Sequence, residues 1–451
     1  MNPTSLRAIR LTAVGARCTV LATLAAVAGA LVAAGPLQAD TIVLRASRVI
    51  ADPRESPLGA TTIVVRDGRI VELLPGRDAQ PTRPSANGET VREVDLGNRT
   101  VMPGYVDAHV HLSTTYGVPW WRAATITDEY AVAEALRNAS VTLNAGVTTV
   151  RDLGSNPLVM FAVRDAVRNG IATGPRILAS GPAISIPGGH GDVSGFRPEV
   201  NAALGSDNTC SGADACAQRV RELAHNGADV IKVTVTGGVL SLQSRGFDNH
   251  FTDAELTAIV SAARLLGLRT AAHAHGGRGV EAAARAGFDS VEHAGFGDEP
   301  AMRALRDRAV WLVPTLSTSQ AYRERIGTGF YAPQVEEKAR QRLAELGKSV
   351  RIAHRLGVRI AFGTDAGVYR HGVNANEFAL LVEYGGLAPR DALVAATVNS
   401  AELLGLGAEI GTLAPGKSAD LIALDGDPLA DIRATERVRF VMARGAIVRQ
   451  D

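Results

Sequence analysis

Five short stretches of the chain place metal-binding or proton-moving side chains where a folded strand would aim them at one point. Asp107-Ala108-His109-Val110-His111 carries two histidines two residues apart in a run of strand-forming residues. Side chains alternate along a strand, so both imidazoles share a face and can reach one ion while Val110 turns away. Lys232 lies inside Val230-Ile231-Lys232-Val233, where an ammonium is costly unless it is paired or deprotonated. His273 and His275 repeat the two-residue spacing, His293 follows Glu292, and Asp365 sits within Gly363-Thr364-Asp365-Ala366-Gly367. Imidazoles, a carboxylate and an out-of-place amine are the donors of a divalent-cation centre that activates water. Singly, each is as well explained as a satisfied core polar group. Together they argue for one site.

The elements that must position them read as alternating strands and helices. Apolar β-type runs fall at 101–111, 148–152, 176–180, 230–235, 269–275, 290–293, 310–314 and 359–365. Amphipathic helical stretches intervene at 127–144, 215–226, 252–265, 278–286, 300–308 and 334–356, and Thr252 with Glu255 has capping-box spacing. Eight strand-then-helix repeats predict an α/β fold, a (β/α)8 TIM barrel, over residues 104–405. The candidate ligands fall at the C-terminal ends of the strands, where such a barrel builds its site. Short strands recur at both ends of the chain, with Asp67-Gly68 as a hairpin turn, so 40–103 and 406–451 are expected to form one small β-sandwich.

Composition narrows the function classes. The 451 residues are 46% hydrophobic and 21% charged, enough for a large core. Forty-seven Lys and Arg balance 46 Asp and Glu, so the charge footprint of a nucleic-acid binder is missing and the expected partner is a small molecule. Arg7, Arg10 and Arg17 precede an apolar run from Cys18 to Ala34, and Leu37-Gln38-Ala39 follows. That is the layout of a secretory signal peptide over 1–39, which predicts a periplasmic or secreted protein without stable membrane contact after cleavage. An uncleaved anchor is the alternative reading. Beyond it remain Cys210 and Cys216, an even pair expected to form a disulfide in an exported chain.

The ordered set of motifs resembles the metal-dependent amidohydrolase superfamily. The resemblance is carried by 101–111, Ile231-Lys232-Val233, Ala272-His273-Ala274-His275-Gly276, Val291-Glu292-His293-Ala294-Gly295, Gly363-Thr364-Asp365 and the stretch 411–421. It implies two divalent metal ions, zinc by default, with His109 and His111 on one and His273 and His293 on the other. Lys232 would bridge them as a carbamate derived from carbon dioxide. Asp365 would bind the first ion, take a proton from a bridging water and pass it to the leaving nitrogen. His275 is then a substrate or supporting residue rather than a ligand. An unmodified Lys232 would instead favour a single-metal site from His109, His111, His273 and Asp365.

Thr364-Asp365-Ala366-Gly367, His371-Gly372-Val373-Asn374 and Gly188-Gly189-His190-Gly191-Asp192 are similar to the prolidase-like and carboxypeptidase-like dipeptidase branch, with its ochratoxin-hydrolysing amidase and imidazolonepropionase relatives. The resemblance implies cleavage of an amide between an acyl or aminoacyl group and a C-terminal amino acid, by a homo-oligomer. His190 and His371 are candidate substrate contacts on loops, and Gly237-Gly238 a candidate nest for the carboxylate. Arg151 and Asp152 are expected to form an ion pair. Hydrolysis of a cyclic amide, ester or lactone on the same site is the alternative, and a binding protein that kept the scaffold a third reading.

Overall fold

The computed structural model describes residues 41–82, 90–193, 196–205, 207–242 and 246–451. The expected signal peptide lies outside the described residues. Strands from both chain ends build two sheets. One runs, in spatial order, Arg69–Pro75, Thr61–Arg66, Thr41–Ala46 and Val91–Asp95. The other runs Ala446–Gln450, Val438–Ala443, Leu421–Leu424, Thr100–Pro103 and Arg48–Val49, so the C-terminal strands pair directly with N-terminal ones. Leu44, Ile63, Val65, Val94, Val101, Leu421 and Phe440 share one buried cluster, which is why neither end can keep its apolar face dry without the other.

Seven parallel strands carry the rest: β1 (Tyr105–Val110), β2 (Val147–Asp152), β3 (Arg176–Ala179), β4 (Val230–Thr234), β5 (Arg269–Gly276), β6 (Ser290–Phe296) and β7 (Trp311–Val313). They pair as two sheets, β1-β2-β3 and β4-β5-β6-β7. Every residue of β1, β2 and β4 is buried, as expected of parallel strands covered on both faces.

Three expectations change. The run 101–111 is two strands, because Gly104 ends the pairing in the terminal sheet and β1 starts afresh against β2. A Cβ on Gly104 would sit 2.3 Å from Thr148 Oγ1. Gly104→Ala is therefore expected to cost about 1–3 kcal/mol through overpacking, with part of the loss recovered in Gly104→Ala/Thr148→Ala; equal urea midpoints for wild type and the single variant would refute this. The helix expected over 334–356 is broken into Pro333–Ala344 and Lys348–Leu356, because Gly347 takes φ +74°. Finally, 359–365 is not a regular strand. It makes one bridge, Ile360 to Leu312, and its backbone instead threads between β7 and β1: Leu312 N donates to Arg359 O, Ala108 N to Phe362 O, and Asp365 N to His109 O at 2.7 Å.

A disulfide joins Cys210 and Cys216, clamping the loop at Asn208 to the helix Ala213–His225. Among the described residues no helix is long and apolar enough to cross a membrane.

Candidate metal centre

β1 brings His109, with His111 just past its last residue, β4 brings Lys232, β5 brings His273 and His275, and β6 brings His293. Register aligns them: Thr234 lies beside His273, His273 beside Glu292, and Ala274 beside His293. With Asp365 they line a cavity of about 440 Å³, the size of a small-molecule site. Strand alternation alone would turn His293 away from the interior that Glu292 faces. The backbone breaks the alternation: His293 and Ala294 take φ +73° and +43°. Asp365 and Thr315 take φ +61° and +51°. Such strain in non-glycine residues persists where the surroundings over-determine it, and here it lies at the ligand-bearing ends of the strands.

His109, His293 and Asp365 offer one ligand atom each within 4.8 Å of one another. Asp365 Oδ1 lies 3.0 Å from His111 Nε2 and 3.6 Å from His109 Nε2, and Lys232 Nζ lies 3.4 Å from His109 Nε2. The far nitrogens are already used. His109 Nδ1 pairs with Glu292 at 2.9 Å, His111 Nδ1 with Gly154 O at 3.1 Å and His293 Nδ1 with Thr315 Oγ1 at 2.7 Å. With Nδ1 so engaged, Nε2 of His109 and of His111 is left to face Asp365 and Lys232, the arrangement of imidazoles held for a metal. His273 sets Nε2 against Gly237 O at 3.3 Å, which leaves its Nδ1.

Electrostatics agree. Burial, with Lys232 beside it, pushes His109 down to about 4, and burial holds His273, His275 and His293 well below the ordinary imidazole value, so these rings are neutral donors. His111 moves the other way: burial would lower it, but Asp365 outweighs that. Lys232, 3% exposed, is brought down to about 8 chiefly by burial. Asp365 stays below its usual range because His109 and His111 overcome a burial that would raise it.

Behind the ligands sits a buried chain of groups. Glu292 accepts from Arg151 at 2.9 Å and from Ser290 Oγ at 2.6 Å while holding His109. Arg151 therefore pairs with Glu292, not with Asp152 as expected; Asp152 accepts from Leu112 N and Ser155 Oγ. Asp107 accepts from His109 N, Thr364 N, Thr364 Oγ1 and Asn374 Nδ2, tying β1 to the segment that carries Asp365. Burial raises Asp107 to about 6 against those hydrogen bonds.

The loop contacts divide. His190 lines the cavity, its ring 4.4 Å from that of His273 and its Nδ1 bonded to Ser241 Oγ. His371 does not: its Nε2 faces Thr114 O at 2.9 Å, outside the cavity wall. Gly237 and Gly238 turn carbonyls to His273 and Lys338, and a Cβ on Gly238 would lie only 2.3 Å from the His190 ring, so close ring packing rather than an anion nest accounts for Gly238. Sequence reasoning did not single out Glu292, Thr315 or Arg342; an acid inside the apolar strand of Val291-Glu292-His293 was the one available signal.

The model of the Amidohydrolase family matches residues 100–448. Ochratoxinase of Aspergillus niger is 29% identical over 430 residues, 91% of this chain and 86% of that protein. Among solved structures, a Xaa-Pro dipeptidase with methionine bound in its active site superposes with TM-score 0.82 at 35% identity, over 90% of this chain and 99% of the other. A prolidase complexed with N-methylphosphonate-L-proline superposes with TM-score 0.81 at 29% identity, over 91% of this chain and all of the other.

Proposed function

The chain belongs to the amidohydrolase family and is a hydrolase of C–N bonds, and from that premise we propose that it cuts the amide between an acyl or aminoacyl group and a C-terminal amino acid. The observation that carries the metal dependence is the grouping of His109, His111 and His293 around Asp365, each with its Nδ1 already engaged. The donor set fits two divalent ions of zinc type, His109, His111 and Asp365 serving one and His273 and His293 the other. Lys232 lies among them, and its depressed basicity supports a neutral amine that adds to carbon dioxide, releasing a proton and leaving an anionic carbamate. When bound, the ions supply an acidified water and a Lewis acid for the scissile carbonyl. Asp365, ionised, accepts the water's proton at a carboxylate oxygen and returns it to the leaving nitrogen. His275 and His190 border the space left for substrate.

We read the two parallel sheets as one (β/α)8 barrel closed through 360–366. The supporting contacts are Asp229 N to Ala179 O and Ile184 N to Lys232 O on one side, and the 359–366 hydrogen bonds on the other. We also place the protein in the periplasm or outside the cell, on the N-terminal pattern and the disulfide.

Purified protein assayed against N-acyl amino acids, dipeptides and lactones tests this reading. Amide cleavage is expected, falling on the order of 10³-fold on chelation and returning with zinc. Chelator-resistant turnover would overturn the metal reading, and lactone turnover without amide turnover would overturn the substrate reading.

A further inference from the structure

Arg342 has no counterpart in the chemistry above. It lies on the helix Pro333–Ala344, lines the catalytic cavity and is 3% exposed. A guanidinium stays protonated at any working pH, and a buried one normally meets a carboxylate. Here Nη1 has no hydrogen-bond partner, and among the described residues the nearby carboxylates Glu377 and Glu345 act on the guanidinium only from beyond ion-pair distance. The neighbour one turn earlier shows what satisfaction looks like: Lys338 Nζ donates to Gly238 O at 3.0 Å and to Ser241 O at 2.7 Å.

The surroundings give the orphan cation a direction. The position a Cβ on Gly295 would take lies 2.6 Å from Arg342 Nε and 2.8 Å from His275 Nδ1, so both nitrogens border the space that the bare glycine leaves. His275 Nδ1 is likewise buried without a partner. The His275 ring stacks on His293 at 5.0 Å between centroids and 18° between planes. Arg342 is thus one imidazole layer beyond the ligand His293. Tyr322 lines the same wall.

Resting on the amide-hydrolase reading, we propose that Arg342, with His275, binds the free α-carboxylate of the leaving amino acid, making this a carboxypeptidase-type enzyme. In such a substrate one carbon separates the carboxylate from the scissile nitrogen, which matches a cation held just past the ligand shell. A cyclic amide or lactone without a carboxylate would enter and leave the guanidinium uncompensated, at the cost of a buried charge. Selection for a carboxylate then follows from the differential cost of leaving Arg342 unpaired.

The test compares wild type with Arg342→Met and Arg342→Lys, all metal-loaded. Hydrolysis of N-acetyl-L-amino acids is measured against the matching carboxamides, with small, branched, aromatic and charged side chains. Wild type is expected to prefer the free acids by about 100-fold in kcat/KM, and Arg342→Met to collapse that ratio to within a few-fold of unity, mainly through KM; Arg342→Lys falls between. A ratio unchanged by Arg342→Met overturns the proposal. Binding gives a readout independent of turnover: calorimetry with free L-amino acids, their amides and simple carboxylic acids. Loss of amino-acid binding in Arg342→Met supports the assignment even if no amide is cleaved, which would count against the hydrolase reading alone. Arg342-dependent binding of simple carboxylic acids but not of amino acids would put the cation on the acyl side and overturn it. Without ligand, Arg342→Met is expected to melt no lower than wild type, since it removes a buried charge that lacks a direct ion-pair partner; a clear drop together with loss of both free-acid and amide binding would mark Arg342 as structural.

Discussion

Asp365→Asn is expected to lower kcat by about 10³–10⁴-fold while leaving the fold intact. The carboxylate sits 3.0 Å from His111 Nε2 and 3.6 Å from His109 Nε2, at the centre of the donor set, and among the described residues no other carboxylate joins the three-residue grouping there. His109 and His111 hold it below the ordinary aspartate range, so it is ionised wherever the enzyme works and is a proton acceptor by default. Asparagine keeps the shape and one acceptor oxygen but cannot take the proton, which removes a general-base contribution of about 10²–10⁴ and weakens a metal ligand besides. The substitution is also clean in the backbone. Asp365 is left-handed at φ +61°, a region that asparagine tolerates as well as aspartate. The melting temperature of the metal-free protein should therefore hold, while single-turnover rates and metal content after dialysis fall. A variant within tenfold of wild type on an amide substrate would remove Asp365 from the proton path.

How much of this the sequence disclosed depended on whether a residue's role is local or made by a distant partner. His109 with His111 and His273 with His275 were legible because a period of two is itself the geometry of a strand. Lys232 was legible because an amine in an apolar strand is out of place. The positions of β1 to β7 followed from apolar runs and their turns, within a residue or two at most ends. What failed was long-range. Arg151 and Asp152 are neighbours of opposite charge, and adjacency suggested a pair, yet consecutive strand residues face opposite ways and Arg151 reaches Glu292 on β6 instead. His371 sits near the motif of Asp365 in the chain but is bonded to Thr114 O and does not itself line the cavity. The eighth strand was over-read because an apolar run does not show that its hydrogen bonds are shared irregularly with β7 and β1. Arg342 carried no signal at all: among many exposed arginines of surface helices, only the fold shows that this one points inward.

That long-range pairing leads to the second large effect, at Glu292. Arg151 and Glu292 are essentially unexposed, and their hydrogen bonds run from Ala108 O and Ser290 through the carboxylate to His109 Nδ1. Burial alone would raise the Glu292 carboxyl, but Arg151, His109 and Lys232 together bring it down to about 2. An acid whose folded value lies below its unfolded value of 4.5 contributes stability above that pH. The contribution is lost as pH falls from about 4.5 toward 2. Glu292→Gln leaves Arg151 as a buried cation with a neutral partner and is expected to destabilise the protein by about 3–5 kcal/mol. It should also flatten that acid limb in urea denaturation. Because the amide no longer fixes the His109 ring through a charged acceptor, metal affinity should drop by about 10–100-fold. Arg151→Met tests the same pair from the other side: the Glu292 carboxyl rises and stability falls, but His109 keeps its acceptor. In the double variant Arg151→Met/Glu292→Gln no charge is stranded, so its loss should be smaller than the sum of the single losses by 0.5–3 kcal/mol or more. Metal affinity should nonetheless stay at the level of Glu292→Gln, because removing Arg151 does not restore the acceptor. Additive stabilities, or metal affinity that recovers with stability, would show that Glu292 serves packing alone and that another group orients His109.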